Sequence, residues 1–300
     1  MRAVVRDVDR AAKSLPAEVE RVRGDVTDRA SLDAACAGIE LFFHAAGMPE
    51  QWLRDEGQFD RVNHLGTRSA LEAALAAGVR RVVLTSTMDV FAAPPGGTLV
   101  ETNVDPLPKK TAYERSKQAA ERAADEVRAK GLDVVFVNPS GVYGPAPVHT
   151  SLNTFFIRLL NGKVPMLPPG GLPVVYVDGV IDVHVAAAAK GRSGERYLVS
   201  DEHLGMRELA AMVCELAGRK KVPGVAPAWL LRAIAAVSAP IARTFGVEPL
   251  VAPGVLEFLL WNVDADAGKA SRELGFVRTP VREGLLKTLE FLRSQGLVPR

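Results

Sequence analysis

The stretch Val134-Val135-Phe136-Val137 is continuously apolar, and three of its four residues are β-branched. Such a run predicts a strand buried on both faces, as in a parallel sheet. In the first half of the chain, similar short runs alternate with helical patterns. Strands are predicted at 3–5, 40–44, 81–85 and 132–137, and helices at 31–37, 59–77 and 112–130. This alternation predicts an α/β fold, a Rossmann-like doubly wound parallel sheet with ligands at the carboxyl ends of its strands.

The second half of the chain has a different character, which begins after Gly144-Pro145. Proline and glycine dominate residues 165–173, and helical patterns follow at 178–189, 206–217, 227–245 and 280–294. We therefore expect a dinucleotide-binding domain over 1–145. Residues 146–300 are expected to form a smaller, mostly helical substrate lobe, with parts that return to the core domain.

The charges nearly balance, with 37 Lys and Arg against 35 Asp and Glu in 300 residues and a net charge of +2. This balance argues against nucleic acid or an anionic membrane as the main partner. Cys36 and Cys214 lack the spacing of a disulfide framework or a metal site, which indicates reduced thiols in a cytoplasmic protein without a metal.

Neither a secretory signal nor a membrane anchor is predicted. The chain opens with charged residues too early for a signal. The most apolar helical stretch, 226–245, contains Arg232, Arg243 and two prolines, so it falls short of the ~20 uninterrupted apolar residues of a spanning helix. A core or substrate-pocket helix is favoured over an interfacial membrane helix.

Tyr113 and Lys117 are spaced four residues apart, which places both side chains on one face of the predicted helix. A phenol with a pKa of about 10 is a poor acid or base at neutral pH. A neighbouring ammonium group favours the phenolate and lowers that pKa. Ser86 and Thr87 follow a predicted strand, and either hydroxyl would hold a substrate oxygen beside the tyrosine. Such pairs also occur by chance in solvated helices, so the context decides.

That context extends over nearly the whole chain. The motifs are Thr85-Ser86-Thr87, Arg23-Gly24-Asp25-Val26-Thr27-Asp28, Phe43-His44-Ala45-Ala46-Gly47, Val62-Asn63-His64-Leu65-Gly66-Thr67, Asn138-Pro139-Ser140-Gly141-Val142-Tyr143-Gly144-Pro145, Val175-Tyr176-Val177-Asp178 and Lys269-Ala270-Ser271-Arg272-Glu273-Leu274-Gly275-Phe276. Together with the tyrosine-lysine pair, they resemble the extended short-chain dehydrogenase/reductases, also called the NAD-dependent epimerase/dehydratase family.

The resemblance implies roles for individual residues. Tyr113 would be the general acid/base and Lys117 its pKa modifier and a ligand of the nicotinamide ribose. Thr87, with Ser86 beside it, would complete the catalytic set, and Asn63 would support the active-site backbone. The implied cofactor-binding residues are Arg6, Asp25, Val26, Ala45, Ala46, Gly47, Thr85, Tyr113, Lys117, Pro139 and Ser140. For Asp25 and Asn63, an ordinary turn or cap is an equally good interpretation.

Arg6 ends the first predicted strand, where this fold selects between its two cofactors. A carboxylate there would bind ribose hydroxyls, whereas a guanidinium suits a ribose phosphate. Asp7 follows at once, so the signal is mixed. We expect NADP, with NAD as the alternative.

The resemblance also implies a segment that this sequence does not contain. Family members normally begin with a strand, a G-x-x-G-x-x-G turn and a helix that holds the pyrophosphate. Met1 falls just before the equivalent of the second strand, so roughly 30 residues of a βαβ unit are missing. Because that first strand is central, its absence is expected to expose two apolar strand edges. We expect a truncated start, such as a misplaced start codon would produce.

Three functions are compatible with these motifs. Sugar-nucleotide epimerases and dehydratases of this family carry an arginine where this chain has Gly171-Leu172-Pro173-Val174. Without that cation, a hydrophobic ketone or secondary alcohol is the preferred substrate, as in relatives of dihydroflavonol reductases and hydroxysteroid dehydrogenases. Epimerase or dehydratase activity is the alternative, and a non-catalytic member that has lost its cofactor is the third.

The pocket and the assembly follow from the same resemblance. The candidate apolar lining is Phe155, Phe156, Leu167, Trp229, Leu230 and Phe258, although each of these is also a plausible core residue. A homodimer is expected through the helices predicted at 59–77 and 112–130, because many family members pair through these helices.

Overall fold

The apolar run around Phe136 lies within a parallel sheet. The computed structural model describes residues 1–49, 52–146, 150–247, 249 and 251–299, and all six residues of the strand Val134–Pro139 are buried. Side chains of alternate residues enter two different clusters, Val134 and Phe136 in one, Val135 and Val137 in the other. The predicted strand with two buried faces is therefore confirmed.

The described residues form the following elements. The strands are β1 (Arg2–Val5), β2 (Glu20–Arg23), β3 (Leu41–His44), β4 (Arg81–Thr85), β5 (Thr98–Leu99), β6 (Val134–Pro139), β7 (Gly141–Tyr143), β8 (Gly171–Tyr176), β9 (Arg196–Val199), β10 (Glu202–Gly205) and β11 (Asp264–Ala265). The helices are α1 (Val8–Ala12), α2 (Arg29–Cys36), α3 (Gly57–Phe59), α4 (Gly66–Ala76), α5 (Ala112–Arg128), α6 (Ser151–Leu160), α7 (Val177–Lys190), α8 (Met206–Leu216), α9 (Ala228–Phe245), α10 (Pro253–Trp261), α11 (Gly268–Leu274) and α12 (Val281–Ser294). A π-helix (Asp60–Leu65) joins α3 to α4, and a 3-10 turn (Met88–Val90) follows β4.

The larger sheet has the strand order β3-β4-β6-β9, with all neighbours parallel. Its two faces are covered by different helices. Leu32 of α2, Leu71 of α4 and Val127 of α5 pack on one face. Val183 of α7 and Ala270 of α11 pack on the other. The predicted α/β fold with a doubly wound parallel sheet is confirmed.

A second parallel sheet contains only β1 and β2, and among the described residues no ladder joins it to β3. Apolar side chains at these two separate edges are open to solvent. Phe43 on β3 is 42% exposed and Val4 on β1 is 39% exposed, whereas Val82 and Phe136 in the interior of the large sheet are 0% exposed. The two exposed apolar edges expected from the sequence are thus present.

The second half of the chain contributes to both parts of the molecule. Strand β9 pairs with β6 in the large sheet, and α7 and α11 cover one of its faces. The segment also forms β8, which pairs with β7 and β10 in a sheet of three strands. The division at residue 145 itself stays a prediction. Across the described part of the chain, no helix has the length and apolar character required to cross a membrane.

Candidate active site

Helix α5 begins with a capping box that fixes the position of Tyr113. The Thr111 hydroxyl accepts from the Glu114 N–H at 3.1 Å, and the Glu114 carboxylate accepts from the Thr111 N–H at 2.9 Å. This reciprocal pair sets where the helix starts. Tyr113 therefore lies in the first turn, half-buried, with its ring edge-to-face against Phe59 at a centroid distance of 6.1 Å.

Lys117 lies one turn further along α5 and is buried. Its Nζ donates to the backbone oxygen of Thr85 at 2.9 Å, which places the ammonium group at the carboxyl end of β4. The hydroxyl of Thr85 lies 2.7 Å from Nε2 of His184. Burial lowers the pKa of Lys117 to about 8, against the opposing effect of the nearby carboxylates Glu121 and Asp89.

The π-helix places Asn63 between two segments of the site. Its Oδ1 accepts from the N–H of Met48 at 2.7 Å, and its Nδ2 donates to Ser116 Oγ at 3.0 Å. Ser116 Oγ in turn donates to the backbone oxygen of Tyr113 at 2.6 Å. Asn63 thus connects the loop after β3 with the first turn of α5. The family resemblance implies this supporting position for Asn63, whereas no motif in the sequence marks Ser116.

Thr87 follows β4 and caps the 3-10 turn. Its hydroxyl donates to Oδ2 of Asp89 at 2.9 Å and accepts from the Asp89 N–H at 3.3 Å. Asp89 is buried, and this burial, together with Glu114, raises its pKa to about 7. The Thr87 hydrogen bond, Lys109 and Lys117 act in the opposite direction. Asp89 is not among the residues predicted from the sequence. The spacing Thr-x-Asp after a buried strand was the signal that could have indicated it.

A buried network holds the backbone of Thr87. Asn138 Nδ2 donates to the Thr87 carbonyl oxygen at 3.0 Å and to Glu121 Oε1 at 2.8 Å. Arg196 on β9 pairs with Glu121 at 2.6 Å. No motif in the sequence marks Glu121 or Arg196, because their contact depends on the pairing of β6 with β9.

The side chains of Ser86 and Ser140 lie at the carboxyl ends of neighbouring strands. Both are buried, and neither Oγ has a hydrogen-bond partner among the described residues. Ser140 directly follows Pro139, the last residue of β6. The predicted residues from β4, β6 and α5 therefore lie along one edge of the large sheet.

Further predicted residues follow β3, β1 and β2. Ala45, Ala46 and Gly47 are exposed, and a Cβ on Gly47 would lie 3.2 Å from Asn63 Oδ1. Arg6 is exposed at the end of β1 and close enough to Asp25 to lower the pKa of that carboxyl, although hydrogen bonds from Thr27 have the larger effect.

The carboxylates of Asp7 and Asp25 both accept hydrogen bonds from nearby residues of the chain. Asp7 caps α1, with its Oδ1 accepting from the Arg10 N–H at 2.9 Å. Asp25 Oδ1 accepts from the N–H and the hydroxyl of Thr27 at 2.9 and 2.7 Å, as in a turn. Val26 packs toward α4, since a Cβ on Gly66 would lie only 2.7 Å from its Cγ2.

A cavity of about 210 Å³ adjoins Tyr113. Its lining residues are Trp52, Glu56, Phe59, Lys110, Thr111, Ala112, Tyr113, Arg115, Ala239 and Gly254. The apolar lining expected from the sequence lies elsewhere: Phe156 and Leu167 are core residues with 0% exposure, and Trp229 is 70% exposed. Helix α9 contributes Ala239 to the cavity lining. Within the described ranges, no cluster of potential metal ligands is present.

The chain belongs to the NAD dependent epimerase/dehydratase family, whose model matches residues 1–200. It is therefore an NAD-dependent enzyme of the extended short-chain dehydrogenase/reductase type, as the motifs predict.

Individual relatives agree with this assignment. The chain is 32% identical to sterol demethylase protein B of Methylococcus capsulatus, over 93% of this chain and 87% of that protein. It is 30% identical to a 3 beta-hydroxysteroid dehydrogenase/Delta 5-->4-isomerase of Mycobacterium tuberculosis, over 91% of this chain and 79% of that protein. The crystal structure of gox2253 superposes with a TM-score of 0.81 at 27% identity, covering 99% of this chain and 92% of that chain.

Proposed function

We propose that this protein reduces a ketone, or oxidises the corresponding secondary alcohol, on a hydrophobic small molecule. The observation that carries the proposal is the placement of Tyr113, Lys117 and Thr87 at one sheet edge, with Tyr113 also lining an adjacent cavity. A bound nicotinamide would supply or accept the hydride. The residues of this chain would bind and orient the substrate and the cofactor, and would exchange the proton with the substrate oxygen.

Tyr113 is the proposed proton donor to the substrate oxygen. Its ring is held by Phe59, and the backbone of its helical turn is held through Ser116 and Asn63. Lys117, on the same helix face, carries a positive charge at neutral pH because its pKa of about 8 is still above 7. That charge favours the phenolate form of Tyr113. Thr87, with Ser86 beside it, is the proposed second hydrogen-bonding group for the substrate oxygen.

The residues along the sheet edge fit a nicotinamide dinucleotide. The buried hydroxyls of Ser86 and Ser140 have no protein partner within the described residues, and Gly47 after β3 is exposed. The residues proposed to hold the cofactor are Arg6, Asp25, Val26, Ala45, Ala46, Gly47, Thr85, Tyr113, Lys117, Pro139 and Ser140. Asn63 is proposed to support the site rather than to contact the cofactor.

NADP is the proposed cofactor. Arg6 is exposed at the end of β1, where its guanidinium suits a ribose phosphate. Asp7, which made the sequence signal mixed, uses its carboxylate to cap α1. Arg6 is therefore the charge at this strand end that we propose binds the ligand, while Asp7 serves as a helix cap.

A hydrophobic substrate is favoured by β8. The cavity beside Tyr113 gives no preference, because its lining includes Trp52 and Phe59 but also Lys110 and Arg115. Strand β8 begins at Gly171 and is entirely buried, and its residues include no cation for a nucleotide diphosphate. The relatives named for sterols and hydroxysteroids support the same substrate class. Epimerase or dehydratase activity on a sugar nucleotide is the alternative.

Cofactor titration tests the proposal. NADPH and NADH binding would be measured with the 300-residue chain and with a form extended by the codons upstream of Met1. We expect NADPH to bind more tightly than NADH. Arg6→Ala should lower the affinity for NADPH about tenfold and leave the affinity for NADH unchanged. Arg10→Ala, which removes another exposed arginine four residues further along the chain in α1, is the matched control.

Each outcome has a distinct meaning. Binding by either form, followed by reduction of ketones on hydrophobic compounds, supports the proposal. Turnover of sugar nucleotides would replace it with the epimerase alternative. Binding by neither form would contradict it and would favour the third possibility, a family member that has lost cofactor binding.

A homodimer is the proposed assembly. Helices α4 and α5 run side by side and are joined by an ion pair between Arg68 and Glu126, while Leu65 on the adjoining π-helix is 47% exposed. Light scattering of the purified protein would give twice the mass of one chain, and Leu65→Arg would lower it to that of a monomer.

A further inference from the structure

Asp89 has a carboxyl group whose two oxygens lie in different surroundings. Oδ2 accepts the Thr87 hydroxyl at 2.9 Å, whereas Oδ1 is buried and has no hydrogen-bond partner within the described residues. The residue is only 8% exposed. A buried carboxylate with one unpartnered oxygen is costly, so the position favours a neutral, protonated acid.

The charged groups around Asp89 do not neutralise it by direct contact. Lys109 Nζ donates to the Phe91 carbonyl oxygen at 2.6 Å and pairs with Asp105 at 2.9 Å. Lys117 Nζ donates to the Thr85 carbonyl oxygen. Glu114, in the first turn of α5, adds a negative charge nearby. Asp89 is thus close to two cations and one anion while its closest polar partner is the neutral Thr87.

The proton of the Thr87 hydroxyl can be directed to only one acceptor at a time. When Asp89 is ionised, that proton is held by Oδ2, and the Asp89 N–H occupies a lone pair of the hydroxyl. A ketone oxygen only accepts hydrogen bonds, so Thr87 then has no donor for it. When Asp89 is protonated, its own O–H donates to Thr87 Oγ1 and the threonine proton is released toward the ketone.

We propose that Asp89 is a positioning residue whose protonation determines whether Thr87 donates a hydrogen bond to the substrate oxygen. This inference rests on the proposed ketone reduction. It assigns Asp89 no contact with the substrate, since its action passes through the threonine hydroxyl. The Thr87 backbone is held independently by Asn138, so rotation of the hydroxyl is the only movement required.

The proposal predicts a pH dependence in the neutral range. The pKa of Asp89 is raised to about 7, mainly by burial, so the protonated form decreases as the pH rises through neutrality. Reduction should therefore be faster below pH 7 than above it. Loss of one preorganised hydrogen-bond donor to a developing oxyanion lowers enzymatic rates by about a hundredfold. The decrease in reduction rate as Asp89 ionises should therefore be no larger than this.

Kinetics of two variants test this role in the cofactor-binding form of the protein. Asp89→Asn keeps the size of the side chain and provides an N–H that donates to Thr87 at every pH. We expect kcat/KM for ketone reduction to lose its decrease near pH 7 in Asp89→Asn, while any decrease near pH 8, from Lys117, persists. Thr87→Val removes the hydroxyl and should lower the rate and abolish the same decrease. Persistence of the decrease in either variant would overturn the proposal.

A second measurement is independent of turnover. The carboxyl carbon of Asp89, followed by NMR in protein labelled with ¹³C-aspartate, should titrate near neutrality. Thr87→Val should raise the Asp89 pKa further, because the threonine hydrogen bond favours the ionised form. If this coupling is present but no ketone is reduced, the proposed function fails while the Thr87–Asp89 interaction stands. If the coupling is absent, the inference about Asp89 fails whatever the protein reduces.

Discussion

Asn63 Nδ2 and Ser116 Oγ form a hydrogen bond of 3.0 Å between the π-helix and α5. Through Ser116 this contact reaches the backbone oxygen of Tyr113, and through Asn63 Oδ1 it reaches the N–H of Met48. One side chain therefore positions both the first turn of the helix that bears Tyr113 and the loop that follows β3.

Removal of that side chain should destabilise the protein. Asn63→Ala leaves the buried ends of these hydrogen bonds without partners, so we expect the free energy of unfolding to decrease by about 2 kcal/mol. Urea unfolding monitored by circular dichroism measures the change. His64→Ala changes the neighbouring, less buried residue and is the control. It should decrease the free energy of unfolding by a smaller amount. Equal losses in the two variants would show that Asn63 has no special structural role.

Removal of the phenolic hydroxyl should abolish the proposed reaction without loss of the fold. Tyr113→Phe retains the ring that packs edge-to-face on Phe59. We expect kcat to decrease at least a hundredfold, the scale of general acid catalysis, and the stability to change by less than about 0.5 kcal/mol. Steady-state kinetics and thermal unfolding measure the two effects. Retention of activity would exclude Tyr113 as the proton donor.

Stability should decrease in mild acid because of His44. This side chain is buried, with Nε2 2.9 Å from the Thr67 hydroxyl, and burial and nearby Lys117 lower its pKa to about 4. Between its unfolded pKa of about 6.5 and the folded value of about 4, the unfolded chain binds a proton that the folded protein does not. The free energy of unfolding therefore decreases as the pH falls through this range. His44 alone contributes a decrease of about 3 kcal/mol.

Comparison with a variant isolates this contribution, because the titration of Asp89 acts in the opposite direction. His44→Gln retains a hydrogen-bonding group and has no proton to bind. The difference in unfolding free energy between wild type and His44→Gln should change by about 3 kcal/mol between pH 7 and pH 4. A difference that is independent of pH would contradict the assignment.

The open edge of β3 should promote self-association. Phe43 is 42% exposed there, whereas aromatic residues in the interior of the large sheet are fully buried. Phe43→Thr maintains strand propensity and removes the exposed ring, so we expect less light scattering at high protein concentration and a stability change below about 1 kcal/mol. Phe245→Thr, which removes a still more exposed ring (73%) from α9, is the control. A similar reduction in both variants would show that the strand edge is not the cause.

The fold was predictable where burial covers both faces of a strand, and less so elsewhere. Strand Val134–Pro139 was recognised because its first four residues are all apolar. Strand Glu20–Arg23 was missed, since its sequence Glu-Arg-Val-Arg has little apolar character and depends on pairing with β1. Strand Gly171–Tyr176 was missed because glycine and proline indicated a loop, although both of its edges are paired.

The candidate site was predictable to the extent that motifs specify it. Tyr113 and Lys117 were selected from their spacing, and Thr87 from its position after a predicted strand and from the family resemblance. Asp89 was not, because the effect of a carboxyl group two residues after Thr87 depends on its burial and on the direction of one hydroxyl. Trp229 shows the converse, since hydrophobicity alone suggested a pocket residue and the side chain is 70% exposed.

The π-helix at Asp60–Leu65 contains one residue more than an α-helix that turns through the same angle. Each of its backbone hydrogen bonds spans one residue more than in an α-helix. Deletion of a single residue would allow a regular α-helix to form. Because five α-helical residues turn through about the same angle as six π-helical ones, Phe59 would keep its direction relative to α4 and its place beside Tyr113. Deletion of Asn63 should therefore preserve the helix and still remove the link between Met48 and Ser116.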